Sequence, residues 1–176
     1  MRRLVLIGAS IALLVVGALP ASGGHWRSEP GLYHADDRDG RVTFHQCELT
    51  TRFQNAFSSN NTHDIIPTNI LVSGFNGCDT DDVRMNDFNF DQTTYFGWWE
   101  CHSLVTSDMC DTGHVHIDLN ERNYSDGDAL SLTCEEIAHS VGLGHRTNAT
   151  TDTCMKQLWS TKHLDQHDKD AINGHY

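Results

Sequence analysis

CEEIAHSVGLGH, residues 134 to 145, is the stretch on which the reading of this chain turns. It overlaps ALSLTCEEIAHSVGL, whose apolar periodicity predicts a helix, and SDGD at residues 125 to 128 supplies N-capping side chains just before it. At 100° per residue, positions 135 and 139 lie about 40° apart, so Glu135 and His139 leave the helix from nearly one face. Both can reach a single metal ion. Glu136 lies beside that face, where a carboxylate can polarise a water without binding the ion. Cys134 is about 140° from His139 and is better suited to a disulfide than to the metal. Gly142 stands where a left-handed residue ends a helix and turns the chain, which would return His145 towards the ion. Pairs four residues apart are common on helices, but the added glutamate, glycine and third ligand at fixed offsets make this pattern specific.

Working outward, the chain opens with MRRLVLIGASIALLVVGALPASGG. Two arginines, an apolar run and then small residues follow the order of a secretory signal peptide, expected over residues 1–21. The run is shorter than the roughly 20 apolar residues of a membrane span. Residues 22–176 have the length of one ordinary domain. With Arg2 and Arg3 removed, this part holds 24 acidic and 10 basic side chains, a net charge of −14. Such a surface repels nucleic acid and anionic membranes, so neither is an expected partner. The acidic segments HADDRDG and CDTDDVR read as solvated loops, with calcium binding as their alternative use.

Cys47, Cys78, Cys101, Cys110, Cys134 and Cys154 all fall after the expected cleavage point. An even number in an exported domain predicts three disulfides, for which sequence permits 15 connectivities. Pairing by nearest neighbour gives Cys47–Cys78, Cys101–Cys110 and Cys134–Cys154.

Residues 41 to 59 place Leu49, Phe53, Ala56 and Phe57 at helical spacing and predict a first helix. TNILVSGF from Thr68, YFGWWECH from Tyr95 and HVHIDLN from His114 read as strands. LDQHDKDAINGHY predicts a closing helix with Leu164, Ala171 and Ile172 near its inner face. The order is that of an α+β domain.

At this point the sequence resembles the metzincin superfamily of zinc endopeptidases, particularly its matrixin-like and small bacterial secreted members. The resemblance rests on EEIAHSVGLGH, on Met155 in DTCMKQ at a spacing suited to a methionine turn, and on the tail from Leu164 to Tyr176, and it covers about residues 113 to 176. It implies a metzincin-like (zincin) single domain: a twisted mixed sheet with an active-site helix, Met-turn and C-terminal helix. It implies His139 and His145 as zinc ligands, Glu136 as general base towards a metal-activated water, and HVHIDLN as the edge strand that holds an extended peptide along His116 to Asn120.

Glu135 departs from the family pattern, which has histidine there. Carboxylate oxygen is an accepted zinc ligand, and a glutamate oxygen reaches as far from the backbone as the distal imidazole nitrogen. An anionic ligand lowers the charge at the metal, so weaker or more alkaline activity is expected. The alternative is a catalytically inactive, disulfide-stapled extracellular binding protein of the same fold. His114 and His116 alternate onto one strand face and are candidates for a second, structural zinc. Tyr95, Phe96, Trp98 and Trp99 read as core or as a groove lining. The expected protein is a secreted zinc endopeptidase acting on protein or peptide substrates.

Overall fold

The computed structural model describes residues 33–70, 81–88, 96–111, 115–120, 125–146, 151–156 and 161–176. Within them the chain forms strand β1 (Phe44–Glu48), helix α1 (Thr51–Asn60), strands β2 (Val83–Phe88), β3 (Gly97–Cys101) and β4 (Val115–Asn120), and helices α2 (Asp126–Ser140) and α3 (Gln166–Asn173). The strands make one mixed sheet in the order β1-β2-β4-β3. β1 and β4 run parallel to β2, whereas β3 is antiparallel to β4 at the sheet's edge. The architecture is therefore α+β.

Apolar side chains from all layers meet in one core. Phe44, Val83, Met85, Ile117 and Leu119 from the sheet join Phe53 and Phe57 of α1 and Leu132 and Ile137 of α2. α1 packs against α2, and α2 packs on β3 and β4. Sheet alternation and the helical spacing of apolar residues thus point at the same interior.

The predicted first helix over 41–59 is corrected: its first part is strand β1, and the helix starts only after Thr50. Helical spacing begins at Leu49, and the residues before it pair with Val83–Asn86 instead. Asp87 fixes the junction by accepting from the Thr50 backbone N–H at 2.8 Å and its hydroxyl at 2.6 Å. β2 was missed, because its residues lie in and after an acidic segment read as solvated loop. Asp81 and Asp82 are buried, the first beside His45 at 2.9 Å and the second accepting from the Thr43 N–H and hydroxyl, each at 2.8 Å. In HADDRDG, Asp36 is likewise buried and accepts from Arg38. Asp82 and Asp36 thus accept from the chain itself, whereas among the described residues neither oxygen of Asp81 has a hydrogen-bond partner.

Thr68, Asn69 and Ile70 are not in a strand, and the rest of the strand expected there lies outside the described residues. So do the predicted signal peptide, His114 and the side chain of His116. Cys101–Cys110 and Cys134–Cys154 are disulfides, as nearest-neighbour pairing expected. Cys47 is also disulfide-bonded, while Cys78 lies outside the described residues. Among the described residues, no helix is long and apolar enough to cross a membrane. Trp99 packs partly against the core, edge-on to Tyr33 with ring centroids 6.5 Å apart, and Phe96 is exposed.

VHIDLN, residues 115 to 120, forms β4, but β4 is interior to the sheet, with its backbone paired to β2 on one side and β3 on the other. The expectation that it is the edge strand is therefore corrected. Residue alternation identifies a strand, whereas its place in the sheet depends on partners distant in sequence.

Candidate metal centre

α2 begins with a full capping box: the Ser125 hydroxyl accepts from the Asp128 N–H, and the Asp128 carboxylate accepts from the Ser125 N–H. Its far end is a Schellman turn. The Leu143 N–H donates to the Ala138 carbonyl and the Gly142 N–H to the His139 carbonyl, both at 2.9 Å. Gly142 takes φ +96°, a conformation open to glycine at little cost. The turn folds His145 back over the helix.

Glu135, His139 and His145 come together there, each offering one ligand atom, all within 4.8 Å of one another. His145 Nε2 is 2.9 Å from Glu135 Oε1 and 3.2 Å from His139 Nε2. Neighbouring donors around a tetrahedral zinc with bonds of about 2.0–2.1 Å are separated by about 3.3 Å, so the spacing suits such an ion. His139 Nδ1 lies 2.7 Å from the Leu143 carbonyl. A carbonyl can only accept, so Nδ1 carries the proton and the neutral ring keeps its lone pair on Nε2, facing the other two ligands. Three converging lone-pair atoms are what a divalent cation requires, and the donor set fits zinc.

Glu136 is 5 % exposed. Burial pushes its carboxyl well above the usual carboxylate range, and the neighbouring Glu135 and Asp118 carboxylates push it the same way. Among the described residues its Oε2 has no hydrogen-bond partner. Such an atom is costly to bury and marks a polar role.

Two contributors escaped the sequence reading. Gly97 of β3 faces Glu136: a Cβ there would lie 3.0 Å from Glu136 Oε1 and 3.0 Å from Leu132 Cδ1. Arg146, just after His145, donates its backbone N–H to the Met155 carbonyl at 2.8 Å and reaches Asp165 and Asp168 with its guanidinium, each at 2.8 Å. The acidic pair opening the predicted last helix, together with a lone arginine beside a ligand, was the available signal.

Met155 is fully buried in a 3-10 turn, Cys154–Lys156, that packs on α2. The Cys134–Cys154 disulfide joins that turn to the residue preceding Glu135. Through Arg146 and this disulfide, the Met155 turn holds both the helix ligands and His145. No protein-family model matches the chain, and no curated protein matches it either.

Proposed function

We propose that the protein is a secreted zinc endopeptidase of metzincin type. The observation that carries this reading is the convergence of Glu135, His139 and His145 beside the buried carboxylate of Glu136. Glu135, His139 and His145 hold the ion, which when bound supplies Lewis acidity towards water and the substrate carbonyl. Glu136 takes the proton of the attacking water at its carboxylate and passes it to the leaving amine. Its neighbour Gly97 leaves room for that carboxylate between β3 and α2. Substrate is assigned to β3, which ends the strand order of the described sheet, rather than to β4, whose backbone is paired on both sides. Export is supported by the amino-terminal pattern and the disulfides.

An inactive binding protein is the second reading, favoured by the glutamate at position 135. Metal content separates the two. Protein purified without chelator should contain zinc and cleave casein, and Glu136→Ala should abolish cleavage while retaining the metal. Protein that neither holds nor takes up zinc and leaves casein intact sinks the protease reading.

A further inference from the structure

A second group of potential ligands lies outside this site. His34, Asp37 and His175 each offer one ligand atom, all within 4.8 Å of one another. They come from opposite ends of the described chain, and the backbone of each is hydrogen-bonded. His34 is buried, donates its backbone N–H to the Asp108 carbonyl at 3.1 Å, and accepts from the Cys110 N–H at 2.8 Å. Its Nδ1 lies 2.9 Å from the Ala35 carbonyl, which can only accept, so Nδ1 is the donor and Nε2 is the ring atom placed to ligate.

Asp37 opens a tight turn in which the Gly40 N–H donates to the Asp37 carbonyl at 2.7 Å. His175 lies just beyond the Gly174 cap of α3, with its N–H bonded to the Ile172 carbonyl at 2.9 Å. The rings of His34 and His175 meet edge to face at 4.7 Å, and His175 Nε2 is 3.7 Å from Asp37 Oδ2.

We propose that His34, Asp37 and His175 form a second binding site for a divalent transition ion of the zinc type, one that ties residues 34–37 to the carboxy-terminal end. Two imidazoles with one carboxylate suit zinc, copper or nickel, whereas calcium and magnesium take oxygen ligands. Donors around such an ion sit about 3.3 Å apart, so the group must contract slightly. His34 is fixed and buried; Asp37 and His175 are the more exposed members and make that adjustment. The two groups are neighbours through the backbone: the Ala35 N–H donates to the carbonyl of Ser140, the residue after His139, at 2.8 Å.

The test is zinc stoichiometry by equilibrium dialysis on the mature protein, stripped by chelator and then returned to zinc alone. Wild type should bind two ions, His175→Ala one, His139→Ala one, and the double variant none. In the His139→Ala background, His175→Ala should weaken binding more than about 100-fold, beyond the loss typical of an outer-shell partner. Asp37→Asn serves as an independent probe should His175→Ala unfold, and His102→Ala, at a surface histidine, should leave the count unchanged. A count unaltered by both His175→Ala and Asp37→Asn overturns the proposal. So does a single wild-type ion lost with His139→Ala and kept with His175→Ala. A single ion with the reverse pattern upholds this site and instead removes the zinc endopeptidase reading.

Discussion

The carboxylate of Glu135 and the imidazole of His145 meet at 2.9 Å although ten residues separate them in the chain. The contact exists because the helix ends at Ser140 and the chain doubles back through Gly142. It makes the carboxylate a working member of the ligand set in the proposed enzyme, at the cost of a lower net charge on the metal.

Replacing Glu135 separates these effects. Glu135→Gln keeps an oxygen but removes the charge, and zinc affinity should fall at least about 100-fold. Glu135→His should retain zinc and raise kcat/KM at neutral pH on the order of tenfold, about 1.4 kcal/mol of transition-state stabilisation. Titration with a competing chelator and peptide hydrolysis read the two quantities. Equal or lower activity in Glu135→His would place the handicap elsewhere.

Gly97→Ala tests the approach of β3 to the general base. Its methyl group would press on Glu136 Oε1 and Leu132 Cδ1, both at 3.0 Å. Overpacking of this kind costs about 1–3 kcal/mol. Displacement of the carboxylate should lower kcat up to about 100-fold with zinc still bound. Thermal unfolding, metal analysis and steady-state kinetics on one preparation distinguish misplacement from unfolding.

Gly142→Ala places a Cβ at φ +96°. The left-handed conformation costs an ordinary residue about 1–2 kcal/mol, so the melting temperature should drop. Zinc affinity should drop with it, because His145 hangs from this turn. A variant with wild-type stability and affinity would show that the turn does not position the ligand.

Acid stability should depend on Asp165. Partial burial disfavours its charge, but the Thr151 hydroxyl, the Asp168 N–H and Arg146 outweigh that and hold its pKa down to about 2. A carboxyl depressed in the folded state contributes stability above its unfolded pKa of about 3.9 and loses it as pH falls towards 2. Urea midpoints measured from pH 6 to pH 2 should therefore fall less steeply through this window in Asp165→Asn, which should also be the less stable protein at pH 6. Parallel curves for the two proteins would remove Asp165 from the acid response.

α2 and its ligand face were legible because helical periodicity is local: a rotation of 100° per residue places Glu135, Glu136 and His139 without reference to the rest of the chain. The same holds for the Gly142 turn, and sequence proximity was enough to pair Cys101 with Cys110 and Cys134 with Cys154. Strand β2 was hidden because Asp81 and Asp82 look solvated until His45 and Thr43 are brought to them. Nothing local distinguishes β4 from an edge strand, since hydrogen bonding on both sides comes from β2 and β3. The placement of Gly97 against Glu136, the hold of Arg146 on Asp165 and Asp168, and the meeting of His34 with His175 are likewise tertiary. The sequence alone determined which residues share a helix face and where that helix ends, because those follow from backbone geometry over a few residues. Only the folded chain decided which distant side chains surround that face, because long-range contacts arise from packing a single core.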